Sequence, residues 1–193
     1  MNASRRTPVA LTALRASLAP VMVLLALYFP NRFALGASLV AAFLSDIFDG
    51  IIARRLDVAT PALRRLDSFA DTLFYLCTAF AAWHLYSLVI TPYLLALIIL
   101  GVLEVTRYIL DLTKFGREAS YHTWSSKVWG IALFAGLFSL LALGSEGTAV
   151  AAAIYVGIIA DVEGLVISII LTEWKNDVPT FVHALRLREA KPT

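Results

Sequence analysis

The chain is 193 residues long, 60% hydrophobic and only 16% charged, with a mean hydropathy of +0.79, which excludes an ordinary soluble domain. A net charge of +2, with neither zinc-ligand spacing nor a basic run interleaved with aromatics, excludes a nucleic-acid surface. What remains is an all-α polytopic membrane protein, read as a single membrane-embedded domain over 1–193.

Crossing about 30 Å of hydrocarbon takes about 20 apolar residues in a helix. Runs of that kind predict six transmembrane helices, at 9–29, 34–54, 68–90, 93–112, 127–144 and 148–172, followed by a short amphipathic tail holding Trp174, Pro179 and His183. Pro30-Asn31, Thr91-Pro92 and the stretch from Gly144 to Gly147 punctuate three joints, all on one side. Of the 16 basic residues, only Arg32 and Arg107 fall outside the ends that face the other side. Cytoplasmic ends keep the lysines and arginines, so both termini are expected in the cytoplasm. The reading is an integral protein of a bacterial inner membrane. Arg5 and Arg6 ahead of an apolar run also suit a signal peptide, but Arg15 interrupts that run and no small-x-small site follows Tyr28. The first span is therefore expected to stay. Cys77, the single cysteine, reads as a small core residue.

The unusual stretch is SDIFDGIIARRLDVATPALRRLDSFAD, residues 45–71. An ionised side chain at bilayer depth costs several kcal/mol, so acids there ask for partners. At about 100° per residue, Asp46, Asp49, Gly50, Ala53 and Arg54 share one face of the second helix, and Asp67 and Asp71 share a face at the start of the third. A tight connection containing Asp57, Thr60 and Pro61 brings the two faces opposite each other. Asp57 reads as a solvated partner of the neighbouring arginines. The other four acids would repel one another unless divalent cations held them. Oxygen donors select magnesium, manganese or calcium over zinc, and two such ions form a clamp for phosphoryl transfer. Gly50 and Ala53 would let a ligand approach the helix backbone, and Arg54 offers a fork for phosphate.

These residues resemble the signature of the CDP-alcohol phosphatidyltransferases, DxxDGxxAR(x)8G(x)3D(x)3D, through Asp46, Asp49, Gly50, Ala53, Arg54, Asp67 and Asp71. Leu11, Thr12, Arg15 and Pro20 also look like the LTxxRxxxxP opening of that family's first helix, and the six-span topology agrees. The family's signature glycine is Leu63 here, which places a bulky side chain where the nucleotide's approach would be close. The resemblance implies transfer of a phosphatidyl group from a CDP-linked lipid, such as CDP-diacylglycerol, to an alcohol acceptor, with release of CMP. It implies two divalent ions, Mg2+ or Mn2+, on Asp46, Asp49 and Asp67. Asp71 would contribute to the metal site and take the acceptor hydroxyl's proton. Asp46, Gly50, Ala53, Arg54 and Thr60 would hold the nucleotide. The site would face the cytoplasm, and many enzymes of this resemblance are homodimers.

Arg107, Arg117 and Lys127 are the candidates for holding the acceptor, together with the polar His122 and Ser126. Glu104 and Arg107 stand at i and i+3 and could neutralise each other. Asp161 and Glu163, in the sixth apolar run, could pair with Arg107 or support the site from outside. A proton or cation transporter would also bury acids in helices. No inverted repeat accompanies them, and the main acids cluster at one end, which favours the enzyme.

Overall fold

The computed structural model describes residues 3–55, 61–117 and 121–189, and among these it is helical with no β-sheet. The helices are α1 (Ala3–Tyr28), α2 (Arg32–Arg55), α3 (Pro61–Ile90), α4 (Leu94–Phe115), α5 (Trp124–Phe138), α6 (Thr148–Ile170) and α7 (Phe181–Glu189). A 3-10 turn, Thr91–Tyr93, joins α3 to α4, and α5 runs on into a π turn, Ser139–Leu143. Five helical segments are long and apolar enough to cross a membrane: Val9–Tyr28, Arg32–Ile52, Arg65–Phe115, Trp124–Leu143 and Thr148–Ile170. The expected spans at 68–90 and 93–112 both fall inside Arg65–Phe115, 51 helical residues interrupted only by non-helical angles at Tyr86 and by the 3-10 turn. Thr91 and Pro92 thus tighten the helix rather than open a loop, because proline is tolerated in the first turn. At about 1.5 Å per residue its 51 residues supply enough helix for two bilayer crossings.

The chain divides into two compact units, residues 1–89 with 137–146, and residues 90–136 with 147–193. In the first, α1 and α2 form an antiparallel hairpin about Phe29, Pro30 and Asn31, and the Asn31 side chain accepts a hydrogen bond from the Ala34 amide at 3.0 Å, capping α2. Each helix buries one stripe: Thr12, Arg15, Ala19, Met22 and Ala26 on α1, and Leu35, Ser38, Leu39, Ala42, Ser45 and Asp49 on α2. Steps of three and four residues keep each stripe on one face. The stripes are apolar near the turn and polar at the far end. On α3 the buried stripe is Ala70, Phe74, Thr78, Ala81 and Ala82, with Asp67 and Asp71 at its head. The π turn lies against α2, where a Cβ on Gly36 would come within 2.8 Å of the Ala142 Cβ. Cys77 is half-buried and in no disulfide.

In the second unit α4 and α6 run parallel and in contact. The stripe Ala153, Ile154, Gly157, Ala160, Asp161, Gly164, Ile167 and Ser168 is buried on α6. Gly164 is needed for close approach, since a Cβ there would meet the Arg107 Cδ at 2.9 Å. The amphipathic tail folds as α7, whose Ala184 joins Tyr121, Ile167, Leu171 and Val178 in a small apolar core.

Candidate functional site

The polar ends of the hairpin stripes converge because Arg15 and Ser45 lie equally far from Pro30 along antiparallel helices. The Arg15 Nε donates to the Ser45 hydroxyl at 3.4 Å. Its Nη2 donates to the Asp49 carboxylate at 2.7 Å, Arg15 being 1% and Asp49 6% exposed. Its Nη1 stands 3.3 Å from Asp46 and donates to Asp67 at 3.0 Å and to Asp71. One guanidinium therefore touches four carboxylates from two helices. Asp46, Asp67 and Asp71 are partly open to the surroundings, whereas Asp49 is closed in. Among the described side chains, one guanidinium faces four carboxylates.

Asp46, Asp49 and Asp67 each offer a carboxylate oxygen, and these atoms lie within 4.8 Å of one another. Three hard oxygen donors at that separation could hold a divalent cation, and Asp71, on the next turn of α3, widens the donor set. Chemically, such a cluster can bind a diphosphate through cations and offers a spare carboxylate as a base.

The sequence-derived residues distribute as follows. Asp46, Asp49, Asp67 and Asp71 come together, and Gly50 continues their helix half-buried. Thr60 and Asp57 lie outside the described residues, as do the side chains of Ala53 and Arg54, whose backbones complete α2. Leu63 sits half-buried in the first turn of α3. Among the acceptor candidates, Arg107 pairs with Glu104 at 2.9 Å and stands 3.3 Å from the buried Asp161. Arg117 lies over the Trp174 ring at 4.9 Å and Lys127 over the Trp124 ring at 4.5 Å. Glu163 accepts from the Ser125 hydroxyl and, at 3.2 Å, from the Phe181 amide, so it caps α7.

Two polar groups escaped sequence reasoning. Arg15 read only as a topology charge and a motif match; its equal distance from the Pro30 turn, mirrored by Ser45, was the available signal. Asp111 is 1% exposed and accepts from the Ser168 hydroxyl at 2.6 Å, with the Tyr121 hydroxyl 3.5 Å away. Burial, together with the nearby Asp111 charge, pushes the Tyr121 hydroxyl up to about 12 against the lowering effect of its Ser168 hydrogen bond, keeping it a donor. Lys114 crosses to the Ser168 and Ile169 carbonyls at 2.8 and 2.9 Å, at the end of α6.

No curated protein and no solved structure matches the chain. The sequence model of one family, described as CDP-alcohol phosphatidyltransferase, matches residues 5–174, a stretch that includes every residue of the acidic cluster and Arg15. That family transfers a phosphatidyl group from a CDP-alcohol, works in phospholipid synthesis within membranes and generally depends on divalent metal. With the match covering most of its length, the chain belongs to the CDP-alcohol phosphatidyltransferase family.

Proposed function

We propose that this protein transfers the phosphatidyl group of CDP-diacylglycerol to an alcohol and releases CMP, on the cytoplasmic side of a bacterial inner membrane that it crosses six times. The observation that carries this reading is the approach of three carboxylates from two helices to within 4.8 Å. Asp46, Asp49 and Asp67 would hold two Mg2+ or Mn2+ ions, which when bound neutralise charge on the diphosphate and on the departing CMP. Asp71, the partly open acid one turn beyond Asp67, takes the proton of the acceptor hydroxyl. The acceptor oxygen forms its bond to the phosphorus that carries the diacylglycerol, and the bond from that phosphorus to CMP breaks. By similarity to the family, Asp46, Gly50, Ala53, Arg54 and Thr60 would hold the nucleotide.

Leu63 favours a second reading of the donor alone, in which its side chain reshapes the base pocket and another nucleotide replaces cytidine. Both are tested with purified protein in vesicles, a panel of alcohols and CDP-, UDP- or GDP-linked diacylglycerol. Magnesium-dependent release of CMP supports the main reading. Release of another nucleotide only would move the donor. Cation flux without turnover on any donor would overturn the transferase reading in favour of transport.

A further inference from the structure

We infer that the guanidinium of Arg15 competes with divalent cations for the carboxylates of α2 and α3, so that metal binding is coupled to withdrawal of one arm of its fork. This rests on Asp46, Asp49 and Asp67 being the metal ligands. Arg15 is 1% exposed, and its head group contacts Ser45 and the four acids. A buried structural pair needs one acid per guanidinium; here one head group spans the whole donor set. Its two arms differ. The Nη1 arm reaches Asp46, Asp67 and Asp71, joining the two helices across the space between their carboxylates. The Nη2 and Nε side rests on Asp49 and Ser45, both buried on α2.

A divalent ion held by Asp46 and Asp67 would bring like charge to Nη1, which contacts both acids. Arginine cannot relieve that repulsion by losing a proton. Relief comes only by movement, and the Ser45 hydroxyl, the one head-group partner outside the donor set, supplies the pivot. Coupling of this kind is reciprocal: whatever removes the Nη1 arm strengthens metal binding, and bound metal frees the arm.

The test measures Mn2+ binding by paramagnetic resonance on the full-length protein in lipid nanodiscs, without donor or acceptor. Arg15→Gln is expected to bind Mn2+ about tenfold tighter than the parent, within the range usual for coupled sites. In chelator the same variant is expected to melt at a lower temperature than the parent, and to gain more from added Mn2+. Equal or weaker Mn2+ binding by Arg15→Gln would overturn the inference and make Arg15 a scaffold for the acids. Should that variant fail to fold, labelling of the parent by phenylglyoxal, read at the Arg15 peptide, decides. Faster labelling with Mn2+ than with chelator supports competition, and unchanged or slower labelling refutes it. A parent protein that binds no Mn2+ removes the metal reading and this inference together, whereas a parent that binds Mn2+ with Arg15→Gln no tighter removes this inference alone.

Discussion

Asp71 and Asp49 sit in one cluster yet should fail in different ways when changed. Asp71 is partly open and stands at the head of the α3 stripe, so Asp71→Asn removes a proton acceptor while keeping shape. Turnover is expected to fall by about 10²- to 10⁴-fold, the usual contribution of a positioned base, and the CMP-release rate at saturating donor checks it. Asp49 is closed in against Arg15 at 2.7 Å. Asp49→Ala takes away the Nη2 partner while Asp46, Asp67 and Asp71 stay on Nη1, so the loss is expected to fall below about 3–5 kcal/mol, the cost typical of a buried pair broken outright. A lowered melting temperature in chelator is the expected signature, and a melting temperature equal to the parent's would mean the pair contributes nothing. Leu63→Gly belongs at this scale too: if the leucine reshapes the base pocket, the variant changes KM for CDP-diacylglycerol more than kcat.

At the scale of elements, close helix contacts rest on small residues. Gly36 faces Ala142 and Gly164 faces the Arg107 stem, each with less than 3 Å to spare for a Cβ. Gly36→Val and Gly164→Val are each expected to destabilise by about 1–3 kcal/mol through overpacking, read as a fall in melting temperature. Gly101, where an added Cβ meets nothing within 4 Å, is the matched control. The helices themselves were largely legible, since apolar runs of membrane length and the 46/49/50 and 67/71 spacings follow directly from periodicity. The acids' meeting across α2 and α3 was legible for the same reason. Arg15 was not, because its partners lie 30 to 56 residues away and depend on how the α1–α2 hairpin aligns. Nor was the join of α3 to α4: a Thr-Pro step reads as a break, but its angles continue a helix through a 3-10 turn. Asp111 stayed hidden because its hydroxyl partners, Ser168 and Tyr121, come from α6 and from the connection before α5.

For the whole molecule, the parity of crossings decides where the ends lie. An even number returns the chain to its starting side, and the 51 residues of Arg65–Phe115 suffice for two passes. Single cysteines introduced at Asn31 and Ser145 in a Cys77→Ser background are expected to react with an impermeant thiol reagent from outside intact cells. One at Thr172 should react only after permeabilisation; outside labelling there would mean an odd number of crossings. The proposal that these acids bind divalent metal jointly is tested most directly by anomalous diffraction from crystals soaked in Mn2+. Peaks at about 2.0–2.2 Å from carboxylate oxygens of Asp46, Asp49 and Asp67 are predicted. Peaks lying elsewhere, with those three side chains turned away from one another, would contradict it.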